Sequence, residues 1–237
     1  GSEAWVKEMK DRRRQLRTLL SVVHRTPAED LSPVLVDLYV QSLTKPPTKY
    51  PGSDELEQYL KGLGSSAVEP LGAHYETVAP RVQEEILWTM GRLDIQEGLP
   101  LVRKGLTHEL PRVRMAAIAA LRLIRGQDAR EELRAFLNDE KDEAVLMDVI
   151  NQLQRLEDPR ATEACLTLIE ERRLPLTALG VYLATGVETV PEEGLEKHMA
   201  LLLRALKEGD ASTRVHVVPL MARLTQRASL VQLSPIL

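Results

Sequence analysis

The sequence predicts an all-α protein, an α-solenoid (superhelix) built from stacked antiparallel helix pairs. Apolar residues recur with a period of about 31 residues through the middle of the chain. Each period contains two stretches in which apolar residues have the three- and four-residue spacing of a buried helical face. Aromatic residues make up only 3% of the chain, while Leu, Ala, Arg and Glu dominate, which favours close-packed helices over sheets.

The repeat is visible in four columns of apolar residues, two in each helix of a unit. Successive members of a column are separated by 30 to 32 residues. Because independent positions share one period, the units are interpreted as structural repeats. The second-helix columns are Val82, Val113, Val145 and Leu176, and Met90, Leu121, Leu153 and Leu183; the first-helix columns are Leu71, Val102, Leu133 and Cys165, and Tyr75, Leu106, Leu137 and Ile169.

One unit shows the helix pair most clearly. Its first helix is predicted over 98–106 and its second over 111–124, where alanines and larger apolar residues line one face. Pro111 suits the first turn of the second helix, where a missing N–H costs nothing. Gly126 lies where this helix would end. The small alanines allow neighbouring helices to approach closely.

The period changes after the middle of the chain. The step from Leu176 to Val215 is 39 residues, which predicts an inserted loop before a last helix pair near 195–208 and 212–225. At the other end, the residues before 65 are helical in pattern but out of register with the repeat. The predicted domains are an N-terminal helical extension with a proline-rich linker, residues 1–52, and a repeat solenoid, residues 53–237.

The segment 111–124, PRVRMAAIAALRLI, begins with a prolyl turn and Val-Arg and continues as an alanine-rich helix that ends in Leu. This pattern resembles the short HEAT-like repeats of phycobilisome-lyase-type proteins and many bacterial scaffolds. More divergent copies read DEAVLMDVINQL and PRVQEEILWTMGRL. The resemblance lies in the scaffold repeat and not in a chromophore site, so no cofactor is predicted.

In HEAT stacks the second helices line the concave side, so the resemblance places a binding face on their non-core positions. Aromatic, Met, Arg and amide groups in those positions suit a protein-binding groove. Alternatively, the methionines fill gaps between adjacent repeats, the role assigned to Leu87, Ile118, Ile150 and Val181. The predicted partner-binding residues are Trp88, Met115, Arg122, Met147, Asn151, Gln154 and Tyr182.

These residues predict a non-enzymatic scaffold or adaptor that holds a peptide or helix of another protein. No catalytic or metal-binding residue is predicted. Cys165 shares a column with core residues, and the five histidines lack the spacing of a metal site. HEAT-type deoxyhypusine hydroxylases hold iron with several His-Glu pairs, whereas the matching turns here contain one pair, His108-Glu109.

The charge distribution bears on an alternative function, a nucleic-acid-binding HEAT-like protein of the DNA glycosylase type. Residues 1–27 carry a net charge of +4 and the remainder −8, which argues against a broad phosphate-binding surface. A helix in the basic segment is interpreted mainly as a solvated face with local ion pairs. Its candidate patch for an anionic partner is Lys10, Arg12, Arg13, Arg14 and Arg17.

The composition also bears on location. Apolar residues make up 43% of the chain and charged residues 28%, and no apolar run is long enough to cross a bilayer. A single cysteine fits a reducing compartment, so a cytoplasmic location is expected. Gly1-Ser2 resembles a cloning scar, so an upstream signal or anchor could have been removed.

Overall fold

A computed structural model describes residues 28–44, 53–179 and 195–227. These residues form α-helices, short 3-10 turns and connecting loops, with no strand among them, which confirms the predicted all-α solenoid class. The helices are α1 (Ala28–Thr44), α2 (Ser53–Leu63), α3 (Val68–Tyr75), α4 (Pro80–Arg92), α5 (Leu99–Leu106), α6 (Pro111–Arg125), α7 (Ala129–Asp139), α8 (Glu143–Arg155), α9 (Ala161–Glu170), α10 (Leu195–Glu208) and α11 (Ala211–Arg227).

The helix pairs α3–α4, α5–α6 and α7–α8 lie where the spacing placed them, and α9 contains the first-helix residues of the fourth unit. Helices α5 and α6 match the predicted unit to within one residue at each end, and α10 and α11 form the predicted last pair. Pro111 occupies the first turn of α6. Gly126 follows the helix with a φ of +53°, a left-handed conformation that glycine adopts without steric cost.

Most members of the predicted columns are buried. Leu71, Val102, Leu133 and Cys165 are all buried in the first helices, and the described members of the Met90 column are buried in the second helices. Leu183 lies outside the described residues. Because alanine replaces larger residues on α6, this helix packs closely against α4 and α5.

Three column members do not occupy the predicted core, and one of them, Leu106 on α5, is half-buried. Leu176 is half-buried and belongs to a short 3-10 turn, Leu176–Ala178. Val215 is 70% exposed, whereas Val217 and Leu220 on the same helix are fully buried. The face of α11 that meets α10 therefore differs from the face predicted by extending the column across the lengthened step, because a change of two residues rotates a helix face by more than half a turn.

Contacts between Cα atoms divide the chain into two compact units, unit 1 (Gly1–Arg125) and unit 2 (Gly126–Leu237). Within unit 1, α1 packs against α2, α3 and α4 and buries Val36 and Tyr39. The linker and most of the N-terminal extension lie outside the described residues, and the domain boundary at residue 52 stays a prediction.

Two second helices end with non-glycine residues in the left-handed conformation. Asp94 after α4 has a φ of 53°, and Glu157 after α8 has a φ of 54°. After α8, the Asp158 N–H donates to the Leu153 carbonyl at 2.9 Å, the long-range bond of a Schellman motif. None of the helices in the described residues combines the length and apolar composition that a membrane span requires.

Candidate protein-binding surface

Trp88 on α4 is the most exposed of the predicted binding residues that the structure describes. It retains 38% of its accessible surface, whereas the adjacent Leu87 and Thr89 are fully buried. Leu87 belongs with Ile118 and Ile150, which are likewise fully buried and confirm the interior role predicted for these positions. The helix thus places its largest side chain at the edge of the core with part of the indole in solvent.

Met115 and Arg122 on α6 complete the predicted residues of unit 1, and both are half-buried. Ala119, which lies between them and is the repeat equivalent of Trp88, is only 2% exposed. Met115, four residues before Ala119, and Arg122, three residues after it, lie on the same side of α6 and have longer side chains. The short Ala119 side chain between them therefore has little free surface. We refer to Trp88, Met115 and Arg122 as the Trp88 surface.

Met147, Asn151 and Gln154 on α8 form the second set, in unit 2, and all three are half-buried. Tyr182 lies outside the described residues. The predicted residues therefore fall into two sets, one in each unit. Only the Trp88 surface contains an exposed aromatic side chain among its described members.

A chain of polar contacts fixes α4 beside α1 and α2. The Arg92 Nε donates to Glu57 Oε1 at 2.6 Å, and the Arg92 Nη2 donates to Thr89 Oγ1 at 3.1 Å. The Thr89 and Tyr39 hydroxyls share a hydrogen bond of 2.5 Å. Because Thr89 and Tyr39 are buried, these contacts hold the Thr89 face of α4 against α1.

The protonation states within this chain of contacts follow from burial and charge. Burial raises the pKa of Tyr39 above its ordinary value, although the hydrogen bond with Thr89 acts in the opposite direction. Burial alone would lower the pKa of Arg92, but its hydrogen bond and charge interaction with Glu57 outweigh this effect and raise it. Arg92 therefore stays charged and Tyr39 stays neutral through the physiological pH range.

Helix α6 is basic, with four arginines and no acidic residue. Arg114 is engaged within the fold, since its Nη1 donates to the His108 and Glu109 carbonyls at 2.9 Å each. Arg112 is exposed near the start of the helix, and Arg122 belongs to the Trp88 surface. The ionisable side chains of α6 are thus all arginines, and the helix packs against the indole-bearing α4.

Two of the groups considered for catalysis or metal binding, His108 and Cys165, have structural roles. The His108 Nδ1 accepts the Leu110 N–H at 3.0 Å and stabilises the turn before α6. Cys165 is 1% exposed, and burial raises its pKa to about 12, which confirms the core interpretation. Within the described ranges, no cluster of three or more His, Cys, Asp or Glu residues could hold a metal ion.

The basic residues Lys10, Arg12, Arg13, Arg14 and Arg17 lie outside the part of the chain that the structure describes. Their role as a patch for an anionic partner stays a prediction.

A cavity of about 660 Å³ between α1 and α3 was not identified from the sequence. Its wall includes Ser32, Glu69 and His74, and the Ser32 hydroxyl donates to the Ser66 carbonyl. The His74 Nε2 lies 3.8 Å from Asp37 Oδ1. No sequence signal indicated this cavity, because α1 precedes the repeat and its register against α3 is not encoded in the period.

A second cavity, of about 440 Å³, lies in unit 2 and is lined by Arg172, Arg173 and Arg204. The Arg173 Nη2 donates to the Glu140 carbonyl at 2.7 Å, and the Arg204 Nη2 donates to the Ile169 carbonyl at 3.3 Å. Arginines commonly satisfy carbonyls at helix ends in this way. These two side chains therefore connect successive helices of the unit.

Comparison with known proteins supports the repeat. Residues 68–154, less than half of the chain, match the family model of HEAT repeats. The phycobilisome-lyase subtype stays a prediction. No curated protein sequence matches the chain.

Two solved structures cover most of the chain at 14% identity. Human deoxyhypusine hydroxylase in complex with glycerol covers 83% of this chain and 98% of its own, with a TM-score of 0.35. An engineered protein covers 90% of this chain and 98% of its own, with a TM-score of 0.40. These similarities are too low to carry an argument about function.

Proposed function

We propose that this chain is a HEAT-repeat interaction module that binds a segment of another protein on the Trp88 surface. The exposure of Trp88 carries the proposal: 38% of the side chain remains in solvent on a helix whose neighbouring residues are fully buried. A partly exposed indole is the kind of side chain that contributes most to the binding energy of protein interfaces.

The surroundings of Trp88 suit this role. Tryptophan, methionine and arginine are the residue types enriched at protein interfaces, and the Trp88 surface contains one of each. Methionine adapts its shape to an irregular partner. Because Glu57, Arg92 and Thr89 already fix α4, little conformational entropy would be lost in presenting the indole to a partner.

The proposal includes no catalytic step, cofactor or metal. The nucleic-acid alternative stays a prediction, and the response to salt separates it from protein binding. Phosphate contacts release counterions, so nucleic-acid affinity falls steeply as salt rises. Binding dominated by an indole and a methionine should change much less over the same range.

Site-specific cross-linking tests the proposal directly. A photoreactive amino acid replaces Trp88 in the intact chain, and Leu110, an equally exposed apolar residue at 39%, serves as the matched control position. We expect a discrete protein adduct from position 88 and none from position 110. The cross-linked segment is then synthesised for titration.

In that titration, Trp88→Ala should weaken binding by a factor of about 30, as expected for loss of an interface anchor. Leu110→Ala should leave the affinity unchanged. Circular dichroism must show that both variants remain helical. Equal affinity of folded wild type and Trp88→Ala would reject the Trp88 surface as the binding site.

A further inference from the structure

Helix α11 presents an apolar face to solvent. Val215 and Val218 retain 70% and 57% of their accessible surface, the largest values among the large apolar side chains that the structure describes. The opposite face, which includes Thr213, Val217 and Leu220, is buried. The helix is therefore apolar on both sides, as expected for a helix that packs between two neighbours.

The exposed residues have the spacing of a coiled-coil seam. Ala211, Val215, Val218, Ala222 and Thr225 are separated by 4, 3, 4 and 3 residues, and all five are exposed. A repeat of 3.5 residues keeps one side of a helix against a single partner helix. Isolated surface valines would not be expected to continue in this register.

Few charges interrupt this face. Between Ala211 and Ala222 the sequence contains only two ionisable residues, Arg214 and His216. The centres of protein interfaces are depleted of charged side chains in the same way.

We propose that these five residues, the α11 seam, pack against the α11 seam of a second copy of this chain in antiparallel orientation. The series Ala211, Val215, Val218, Ala222 has the same residues and the same spacing when read in either direction. A two-fold axis through its centre pairs each Val215 with Val218 of the second copy, and each Ala211 with Ala222. Such self-complementarity is the requirement for a two-fold symmetric interface.

The charges agree with this arrangement. Antiparallel packing places the partially positive N-terminal end of each helix beside the partially negative C-terminal end of the other. Arg214 flanks the seam. In the antiparallel pair its neighbour across the interface is Met221 of the second copy, which is uncharged, and so the two arginines do not repel each other. The small alanines at both ends allow the helices to approach closely.

The seam is short, so the dimer should be weak. A standard interface buries about 800 Å² on each partner, more than five side chains of these types can supply. Pro219 lies inside α11, where it has no backbone N–H to donate, and it interrupts the helical hydrogen bonds beside Val218. We expect a dissociation constant of about 10 µM or weaker.

Sedimentation equilibrium of the full chain measures this association. Between about 1 µM and about 1 mM, the mean mass should rise from near 26.6 kDa towards twice that value. The double variant Val215→Glu/Val218→Glu should remain monomeric, because it brings four carboxylates together at the axis. Both positions are exposed, so its circular dichroism should match that of the wild type. Val34→Glu, at a site that is 45% exposed on α1, is the matched control and should associate like the wild type.

Cysteine cross-linking tests the orientation. An equimolar mixture of Val215→Cys and Val218→Cys chains should form disulfide-linked dimers faster than either variant alone, whereas a parallel pair would link each variant to itself. Cys165 is buried and stays outside the reaction. The proposal is overturned by a wild type that remains monomeric throughout, by a glutamate variant that still dimerises, or by faster linkage of either variant alone.

Discussion

Gly91 on α4 and Ala120 on α6 meet without room for a side chain between them. A Cβ added at residue 91 would lie 2.8 Å from the Ala120 Cα and 3.1 Å from the Leu123 Cδ1. The backbone of α6 cannot yield as a flexible side chain can. The close approach of these two second helices therefore depends on glycine at this position.

The first prediction follows from this contact. Gly91→Ala should destabilise the protein by about 1–3 kcal/mol, because overpacking outweighs the gain in helix propensity. Gly72→Ala on α3 is the matched control, since a Cβ there meets nothing within 4 Å. That variant should be more stable than the wild type by about 0.5–1 kcal/mol. Urea denaturation compares the two, and a neutral Gly91→Ala would contradict the packing.

The second prediction concerns the hydroxyl pair of Tyr39 and Thr89. Thr89→Val leaves the buried Tyr39 hydroxyl without this partner and should cost about 1–3 kcal/mol of unfolding free energy. Adding Tyr39→Phe removes the unpaired group and should recover part of that loss. A double-mutant cycle measures the coupling, and strictly additive effects would show that the two hydroxyls do not stabilise each other.

The third prediction concerns the only cysteine in the chain. Burial raises the pKa of Cys165 from 9.0 to about 12, so the reactive thiolate is absent from the native protein near neutral pH. Ellman's reagent should label the native chain only at the rate of unfolding, and label one thiol per chain at once in guanidinium. Rapid stoichiometric labelling of the native chain would contradict the burial.

The same shift predicts a pH dependence of stability. A raised folded-state pKa contributes stability that is fully present below the ordinary thiol pKa and is lost as the pH rises towards about 12. Cys165→Ala has no thiol to ionise, so its unfolding free energy should fall less than that of the wild type over this pH range. Denaturation of both proteins between the two pKa values, 9.0 and about 12, measures the difference.

The fourth prediction concerns the left-handed residue that ends α8. Glu157 has a φ of 54°, a conformation that is strained for any residue with a Cβ. Glu157→Gly should raise the unfolding free energy by about 1 kcal/mol. Glu163→Gly, at an exposed position inside α9, should lower it by about the same amount. If both changes destabilise equally, the strain at residue 157 makes no measurable contribution.

The sequence by itself determined the helical class, the period and the core positions that recur in each repeat. Val102, Leu133 and Leu121 were identified as interior residues because one helical face must be apolar in every repeat. This requirement produces apolar residues at regular intervals in the sequence. It also identified Trp88 as a candidate anchor, since a large aromatic side chain outside the core stripe is visible in the pattern. Binding by Trp88 and the other selected residues stays a prediction.

The tertiary structure decided the positions that the period does not control. Ala119 is buried although its column is not part of the core stripe, because an alanine side chain is too short to extend beyond a close-packed helix surface. Val215 is exposed although its column predicted a core residue, because contact with α10 selects a different face of α11. A repeat specifies which residues can face the interior, but the neighbouring helix determines which of two apolar faces becomes buried.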